Sequence, residues 1–199
     1  MDREHARERA LTYFDDATAL MASLSTACLD DVVAASDVVV DVFRGGHALL
    51  ICGNGGSAAD AQHLATEFVS ALTLDHRRPA MRAIALTTDT SALTAIANDY
   101  GADRMFARQV EAIGAPGDAL LAISTSGNSP NVLEAARAAR SGSIGVIALT
   151  GESGGKLAPL ADIAIRVPST VTSHIQECHL AIEQLIALIA ERALYPDPV

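Results

Sequence analysis

The segment Leu120-Leu-Ala-Ile-Ser-Thr-Ser-Gly-Asn-Ser129 passes from an apolar run directly into a loop of small hydroxyl residues, and a helix-like segment follows over residues 130–140. A buried strand that feeds a polar turn at a helix N-terminus directs unpaired N–H groups and the positive end of the helix dipole at one point, where an anion can bind. The loop adds four side-chain hydroxyl groups, those of Ser124, Thr125, Ser126 and Ser129. Because it contains no lysine or arginine, a bound phosphate would be held by neutral donors.

An ordinary strand-to-helix turn is the alternative interpretation of this segment. In that case Ser129 would act as the N-cap of the following helix, and one serine would be enough. Four hydroxyl groups within six residues favour the phosphate-binding loop instead.

The same order of strand, glycine- or serine-rich loop and helix recurs on both sides of this segment. Apolar runs predict five strands, at 48–52, 82–86, 119–123, 144–149 and 163–167. Helices are predicted between them, at 58–72, around 90–98 and at 103–113, with a short helix after residues 153–155 and a long last helix over 172–192. Strands that alternate with helices indicate an α/β fold, a three-layer sandwich in which helices flank a five-stranded parallel sheet.

Residues 1–44 precede this alternation and predict two helices, with a break at residues 23–25 and a second helix over 26–43. We expect one domain over residues 1–199, with N-terminal helices over 1–44 and an α/β core and C-terminal helix over 45–195. Pro196 and Pro198 mark a tail. Two such helices carry more apolar surface than one domain needs, which favours association of subunits.

Composition narrows the class of protein. Half of the 199 residues are hydrophobic but only 4% are aromatic, as expected of a parallel sheet covered by helices. The formal net charge of -10 argues against nucleic acid or an anionic membrane as a partner. The sequence has three cysteines but no CxxC motif, and it shows neither a signal peptide nor an apolar run of roughly 18 residues. These features predict a cytoplasmic protein with reduced thiols.

A second loop, Gly53-Asn-Gly-Gly-Ser57, matches neither a Walker A motif nor a GxGxxG fingerprint, so no nucleotide cofactor is expected. Its glycines allow a ligand to approach the backbone closely, while Asn54 and Ser57 offer polar groups. A tight turn with Ser57 as N-cap is an equal alternative on this motif alone. Loops 54–57, 87–90 and 124–129 all follow predicted strands, and should therefore meet at the carboxyl edge of the sheet.

His63 and Glu67 stand four residues apart on a predicted helix, and so project from one face. This spacing suits shared metal ligation, or a base beside its partner. A solvent-exposed pair that stabilises the helix is the alternative. The last helix carries Gln176, His179, Glu183 and Gln184 among apolar residues, which fits either a wet surface or the wall of a pocket.

Several motifs in the same order resemble sugar isomerase (SIS) domain proteins. They are Cys52-Gly-Asn-Gly-Gly-Ser-Ala-Ala-Asp-Ala-Gln-His63, Ala97-Asn-Asp99, Ala122-Ile-Ser-Thr-Ser-Gly-Asn-Ser129, Leu149-Thr-Gly151 and Ile175-Gln-Glu-Cys-His179. Within that family the chain resembles the phosphoheptose isomerase group and its non-catalytic relative, the DnaA initiator-associating protein. The resemblance implies a homotetramer that uses the N-terminal helices, with active sites at subunit interfaces. It further implies conversion of sedoheptulose 7-phosphate into heptose 7-phosphate through an enediol, at the head of ADP-heptose synthesis.

The resemblance also implies roles for individual residues. Glu67 would be the base that moves the proton, with Gln176 beside it. His63, Glu67 and Gln176 would be zinc ligands. The phosphorylated sugar would contact Ser124, Thr125, Ser126 and Ser129 through its phosphate, and Asn54, Gly55, Gly56, Ser57, Glu67, Asn98, Asp99 and Gln176 elsewhere.

One position departs from the family pattern. Gln184 stands where the isomerases carry a histidine that serves as acid and as the fourth zinc position. Glutamine cannot exchange a proton near pH 7, and its amide is a poor zinc ligand beside imidazole. We hypothesise that Glu183, next along the chain, substitutes for that acid. Glu67 and Ser126 favour an isomerase, and the alternative function is a phosphosugar-binding regulator or scaffold.

Overall fold

The computed structural model describes residues 2–73 and 75–196. Its strands are β1 (Leu49–Cys52), β2 (Ala83–Ala85), β3 (Ala119–Ile123), β4 (Gly145–Gly151) and β5 (Ile163–Val167). Its α-helices are α1 (Arg3–Ala27), α2 (Leu29–Arg44), α3 (Gly56–Val69), α4 (Thr90–Tyr100), α5 (Ala107–Ile113), α6 (Pro130–Ser141) and α7 (Thr172–Leu194). Two 3₁₀ turns, Ala102–Arg104 and Ala158–Leu160, complete the described elements.

The strands form one parallel sheet in the order β2-β1-β3-β4-β5, which confirms the predicted five-stranded parallel sheet. Strand order reverses between β1 and β3, because β2 lies on one side of β1 and all later strands lie on the other. Loops that leave neighbouring strands in opposite directions open a crevice at such a point. The loops after β1 and β3 are two of the three that the sequence analysis selected; the third, at residues 87–90, follows β2.

Side chains alternate between the two faces of the sheet. In β1, Leu49 and Ile51 join a cluster with α2, α3 and α7, while Leu50 and Cys52 join a second cluster with α5 and α6. Both clusters are built mainly from aliphatic side chains, with Phe68 in the first and Phe106 in the second, and both bury the central strands, which are therefore apolar along their whole length. The three-layer arrangement follows from this double burial.

Most predicted elements are confirmed, with ends that shift by a few residues. Strands β3 and β5 have the predicted bounds, β2 is shorter at both ends, and β4 extends two residues further to Gly151. Helix α3 begins at Gly56 and ends at Val69, earlier than predicted at both ends. The predicted helix over 103–113 is a 3₁₀ turn followed by α5, and the short helix after residues 153–155 is only a 3₁₀ turn.

The predicted break at residues 23–25 is wrong. Helix α1 continues to Ala27, and the chain turns at Cys28 before α2 begins. The hydroxyls of Ser23 and Ser25 donate to the carbonyls of Leu20 and Ala22 one turn back, so they do not cap a new helix.

Helix α1 has no buried residue over its 25 positions. Its exposed apolar side chains include Leu11, Phe14 and Met21. None of the described helices is both long and apolar enough to cross a membrane. Pro196 is the last described residue, and the rest of the predicted tail, including Pro198, lies outside the described residues.

Candidate active site

The loop of residues 124–129, called here the phosphate loop, connects β3 to α6. Ser129 occupies the N-cap position, but its hydroxyl makes no capping bond to the helix. Instead the Ser124 and Ser129 hydroxyl oxygens lie 3.1 Å apart and hydrogen-bond each other. The predicted cap by the Ser129 side chain is therefore wrong, while phosphate binding by this loop stays a prediction.

Backbone conformation shapes the same loop. Gly127 has φ +64°, and a Cβ there would collide with the backbone of Gly154. The Ser126 hydroxyl accepts a hydrogen bond from the Asn128 amide at 3.1 Å, which tightens the turn. Only glycine satisfies both the left-handed φ and the close approach of the two loops.

A cavity of about 290 Å³ lies beside the phosphate loop. Thr125 and Ser126 line one side, and hydroxyl residues between β5 and the start of α7 line another, namely Ser169 and Thr170 of the loop and Thr172, the first residue of α7. The sequence interpretation missed these last three. The signal was available, since they follow the carboxyl end of a predicted strand in the same way as the loops that it did select.

The loop after β1 is held against α6 by a pair of amides. Asn54 and Asn131 exchange two hydrogen bonds, each of 2.8 Å. Asn131 is almost fully buried and also accepts a bond from the Val132 amide. The reciprocal pair joins the two crevice loops at the switch point. Asn131 is a second residue that the sequence did not reveal, because one asparagine in a first helical turn has no distinctive pattern.

Gly55 and Gly56 differ in what they allow. Gly55 is the N-cap of α3 at φ +57°, so the predicted tight turn is present, but Ser57 is not its cap. Ser57 is buried inside the first turn of α3. A Cβ at Gly56 would collide with the amide group of Gln176, so Gln176 packs directly on the backbone of this loop.

His63 and Glu67 meet a residue of the last helix. The His63 Nε2 atom lies 2.9 Å from Glu67 Oε1, and the Gln184 amide nitrogen lies 3.0 Å from the same oxygen. The Gln184 nitrogen is also 2.6 Å from His63 Nε2. We call these three side chains the Glu67 triangle. The Glu67 side chain is 15% exposed, whereas His63 is about half exposed, so the pair lines a surface that small molecules can reach.

The Glu67 triangle leaves one carboxylate oxygen available. Glu67 Oε1 accepts from the Gln184 amide and lies beside the imidazole, whereas no hydrogen bond of the described residues engages Oε2. A carboxylate with one oxygen fixed and the other open is arranged to accept a proton from a bound molecule.

Comparisons with known proteins identify the family of the chain. The SIS domain family profile matches residues 12–151. The chain is 53% identical to the phosphoheptose isomerase of Roseiflexus sp. (strain RS-1) over 83% of each chain, and 48% identical to that of Solidesulfovibrio magneticus over 96% of this chain and 93% of the relative. The chain belongs to the SIS domain family, in its phosphoheptose isomerase group.

Solved structures of that group have the same fold. The phosphoheptose isomerase GmhA from Neisseria gonorrhoeae superposes with a TM-score of 0.87 at 41% identity, covering 93% of this chain and 98% of that one. A phosphoheptose isomerase from Francisella tularensis gives 0.90 at 36% identity, covering 94% and 98%. Both matches cover nearly the whole of each chain, so the described arrangement of helices around the sheet is that of the group.

Not all residues implied by membership of this family meet in one chain. Asn98 and Asp99 lie exposed near the end of α4, where the Asn98 amide donates to the Asp99 carboxylate at 2.7 Å. Within the described residues, no hydrogen bond joins them to the phosphate loop or to the Glu67 triangle. Their predicted contact with the sugar therefore stays a prediction.

The Glu67 triangle is more compact than a zinc site. Ligand atoms at 2.0–2.2 Å from a tetrahedral zinc are about 3.3–3.6 Å apart, and the edges of the triangle are shorter, at 2.6–3.0 Å, so its side chains would have to move apart to hold the ion. In the described part of the chain, no third histidine, cysteine, aspartate or glutamate joins His63 and Glu67 to make a metal-binding group. Gln176, the predicted third ligand, packs on Gly56 instead.

Two further polar residues of α7 lie inside the core. His179 is fully buried with Nε2 3.2 Å from the Thr150 carbonyl oxygen, and burial lowers its pKa to about 4, so it is a neutral packed residue. Glu183 is also fully buried, and neither of its carboxyl oxygens has a partner among the described residues. Burial, and secondarily the nearby Asp60, raise the pKa of Glu183 well above its usual range.

Proposed function

We propose that the protein is an aldose–ketose isomerase that converts sedoheptulose 7-phosphate into heptose 7-phosphate. The observation that carries the proposal is the Glu67 triangle, in which one carboxylate oxygen is fixed and the other is open. The curated relatives named phosphoheptose isomerase support it across nearly the whole chain. The phosphate loop would hold the phosphate of the sugar.

The chemistry follows from the position of the proton. Glu67 Oε2 would remove the proton from carbon 1, beside the carbonyl, while the carbonyl oxygen on carbon 2 takes a proton from solvent water to give the enediol. The protonated Glu67 would then return its proton to carbon 2, as the hydroxyl on carbon 1 releases its proton to water and becomes the aldehyde. A carboxylate placed this way contributes typically 10²–10⁴-fold in rate.

The direct test follows product formation from sedoheptulose 7-phosphate by the purified wild-type protein and by Glu67→Gln. We expect turnover by the wild type and loss of at least about 10²-fold in the variant, since the amide cannot accept the proton. Glu111→Gln on α5 is the matched control, because Glu111 is a surface residue paired with Arg104. Turnover that survives Glu67→Gln would remove Glu67 from the mechanism.

A phosphosugar-binding regulator or scaffold is the second candidate. Gln184 favours it, because the amide that contacts Glu67 cannot donate and recover a proton near pH 7. Calorimetric binding of sedoheptulose 7-phosphate without any turnover would support this candidate over the isomerase.

We also propose a homotetramer, a cytoplasmic location and a product that enters ADP-heptose synthesis. Exposed apolar side chains on α1 support association of subunits, and three buried free cysteines support the location. Zinc binding through His63, Glu67 and Gln176 stays a prediction.

The hypothesis that Glu183 replaces the acid of the family's histidine stays a prediction, but direct contact with the sugar is ruled out by the burial of its side chain. Because Glu183 is fully buried, it would have to act through Gln184 or by a side-chain movement rather than by direct contact with the sugar. Turnover by Glu183→Gln equal to that of the wild type would dismiss the hypothesis.

A further inference from the structure

Arg78 and Glu191 form an ion pair in the interior, between the loop that follows α3 and the last helix. The Arg78 Nε atom lies 2.7 Å from Glu191 Oε2, and both side chains are only 1% exposed. Removing two charges from water is costly, and an apolar pair of similar volume is often equally stable. A buried ion pair is therefore weak evidence for stability alone, and its other contacts indicate what it does.

Those contacts lie at the end of the helix that carries the proposed base. The Arg78 guanidinium donates to the carbonyl oxygen of Glu67 itself and, at 2.8 Å, to that of Phe68. The last carbonyls of a helix have no partner within the helix, and a cation there also complements the helix dipole. Arg78 thus caps the C-terminus of α3, and one of the carbonyls to which it donates belongs to the residue whose side chain is the proposed base.

Glu191 connects the same point to α7. It lies seven residues after Gln184 and so on the same face of the helix, about 10.5 Å further along. Helices α3 and α7 are joined at two levels, by Gln184 to the Glu67 side chain and by Glu191, through Arg78, to the Glu67 main chain.

We propose that Arg78, held by Glu191, is a positioning residue that fixes Glu67 relative to the substrate. This inference rests on the proposed isomerase function. Arg78 is buried behind the helix and does not act on the sugar. A displacement of about 1 Å in a reacting group can lower the rate about 10²-fold, so the loss of this attachment is expected to lower kcat more than it changes KM.

The test compares Arg78→Met and Arg78→Lys with the wild type in steady-state kinetics. We expect kcat to fall at least about tenfold in Arg78→Met with KM within about threefold, and Arg78→Lys to recover part of the loss. Arg77→Met is the matched control, because Arg77 is an exposed arginine in the same loop. Wild-type kcat in folded Arg78→Met would overturn the proposal, as would an equal loss in Arg77→Met.

Chemical rescue separates positioning from folding. In Arg78→Ala, millimolar guanidinium chloride is expected to restore part of kcat, whereas sodium chloride at the same concentration is not. Equal effects of the two salts would count against the proposal. Melting temperatures measured alongside show whether the loss of kcat follows only a loss of folded protein, which would also overturn it.

Hydrogen exchange tests the attachment without any activity. Amides at the end of α3, such as that of Ser70, which bonds to the Thr66 carbonyl, are expected to exchange at least about tenfold faster in Arg78→Met. Unchanged exchange would overturn the inference. An inactive wild type with the expected exchange result would instead refute the proposed function and leave the attachment established.

Discussion

Gln184 is the residue on which the chemistry of the site depends. Its amide nitrogen contacts both His63 and Glu67, so it occupies the place where a third strong metal ligand would stand. The same contact holds Glu67 Oε1, while Oε2 has no hydrogen bond among the described residues. A glutamine at this position can therefore serve a carboxylate base.

Gln184→His is expected to create a zinc site. The imidazole would add a third strong ligand to His63 and Glu67, and zinc affinity should rise on the order of tenfold or more. Competition with a chromogenic chelator measures the affinity of both proteins. Leu185→His is the matched control, since it adds the same side chain at an exposed neighbouring position. Equal affinities in the two variants would show that the Glu67 triangle does not direct metal binding.

His179 gives the protein a defined sensitivity to acid. Its folded pKa of about 4 lies below the ordinary value of 6.5, so the unfolded chain binds more protons between these pH values. The unfolding free energy that depends on a neutral His179 is fully present above pH 6.5. It decreases as the pH falls towards 4, by up to about 3 kcal/mol.

Urea unfolding of the wild type and of His179→Asn, each from pH 7.5 down to 4.5, checks this expectation. The difference in unfolding free energy between the two proteins should shrink as the pH falls, since asparagine keeps a donor for the Thr150 carbonyl but does not titrate. Other titrating groups cancel in the comparison. A difference that is constant with pH would show that His179 is not a buried neutral residue.

At the scale of the elements, the parallel sheet was predictable because its strands are buried on both faces and separated by glycine- and serine-rich loops. The strand order then places the β1 and β3 loops side by side. The sequence had placed both loops at the carboxyl edge of the sheet, because each follows a predicted strand, but it did not give the strand order. What the sequence could not show were contacts between distant elements. The pairing of Asn54 with Asn131, and of Gln184 with Glu67, joins residues 77 and 117 positions apart.

Helix ends were the least predictable part. Ser23 and Ser25 are typical N-cap residues, yet their hydroxyls bond one turn back and α1 continues. The preference of serine for the N-cap position therefore did not end the helix at these residues. Similarly, Ser129 is a suitable cap by type, but its hydroxyl pairs with Ser124 in the phosphate loop. In both cases the competing hydrogen bond could be seen only in three dimensions.

Gly127 fixes the phosphate loop against the loop after β4. Gly127→Ala is expected to destabilise the protein by about 2–4 kcal/mol, because the added Cβ would meet the Gly154 carbonyl in addition to the cost of a positive φ. It should also weaken the binding of sedoheptulose 7-phosphate measured by calorimetry.

Gly46→Ala is the control for backbone strain alone. Gly46 has φ +75°, but a Cβ there would meet nothing within 4 Å. It should cost only about 1–2 kcal/mol and leave sugar binding unchanged. Equal losses of stability in the two variants would mean that the close approach of the two loops contributes nothing.

At the scale of the whole molecule, the contacts within one chain do not explain the stability of the long helix α1. Helix α1 has 25 residues and no buried position, and only the partly buried Leu20 and Leu24 pack against the core cluster, although helices in water depend on packing for most of their stability. Leu11, Phe14 and Met21 are three and seven residues apart and so form one exposed stripe. We expect a second copy of the chain to cover this stripe.

Multi-angle light scattering of the wild type is expected to give about four times the chain mass of 20.6 kDa. Phe14→Glu should shift the population to smaller species, because a charge within the apolar stripe cannot be buried in an interface without a partner. Asp15→Ala, on the neighbouring exposed position, should leave the mass unchanged. If Phe14→Glu keeps the wild-type mass, the stripe lies outside the interface. A monomeric wild type would instead mean that α1 is stable without a partner.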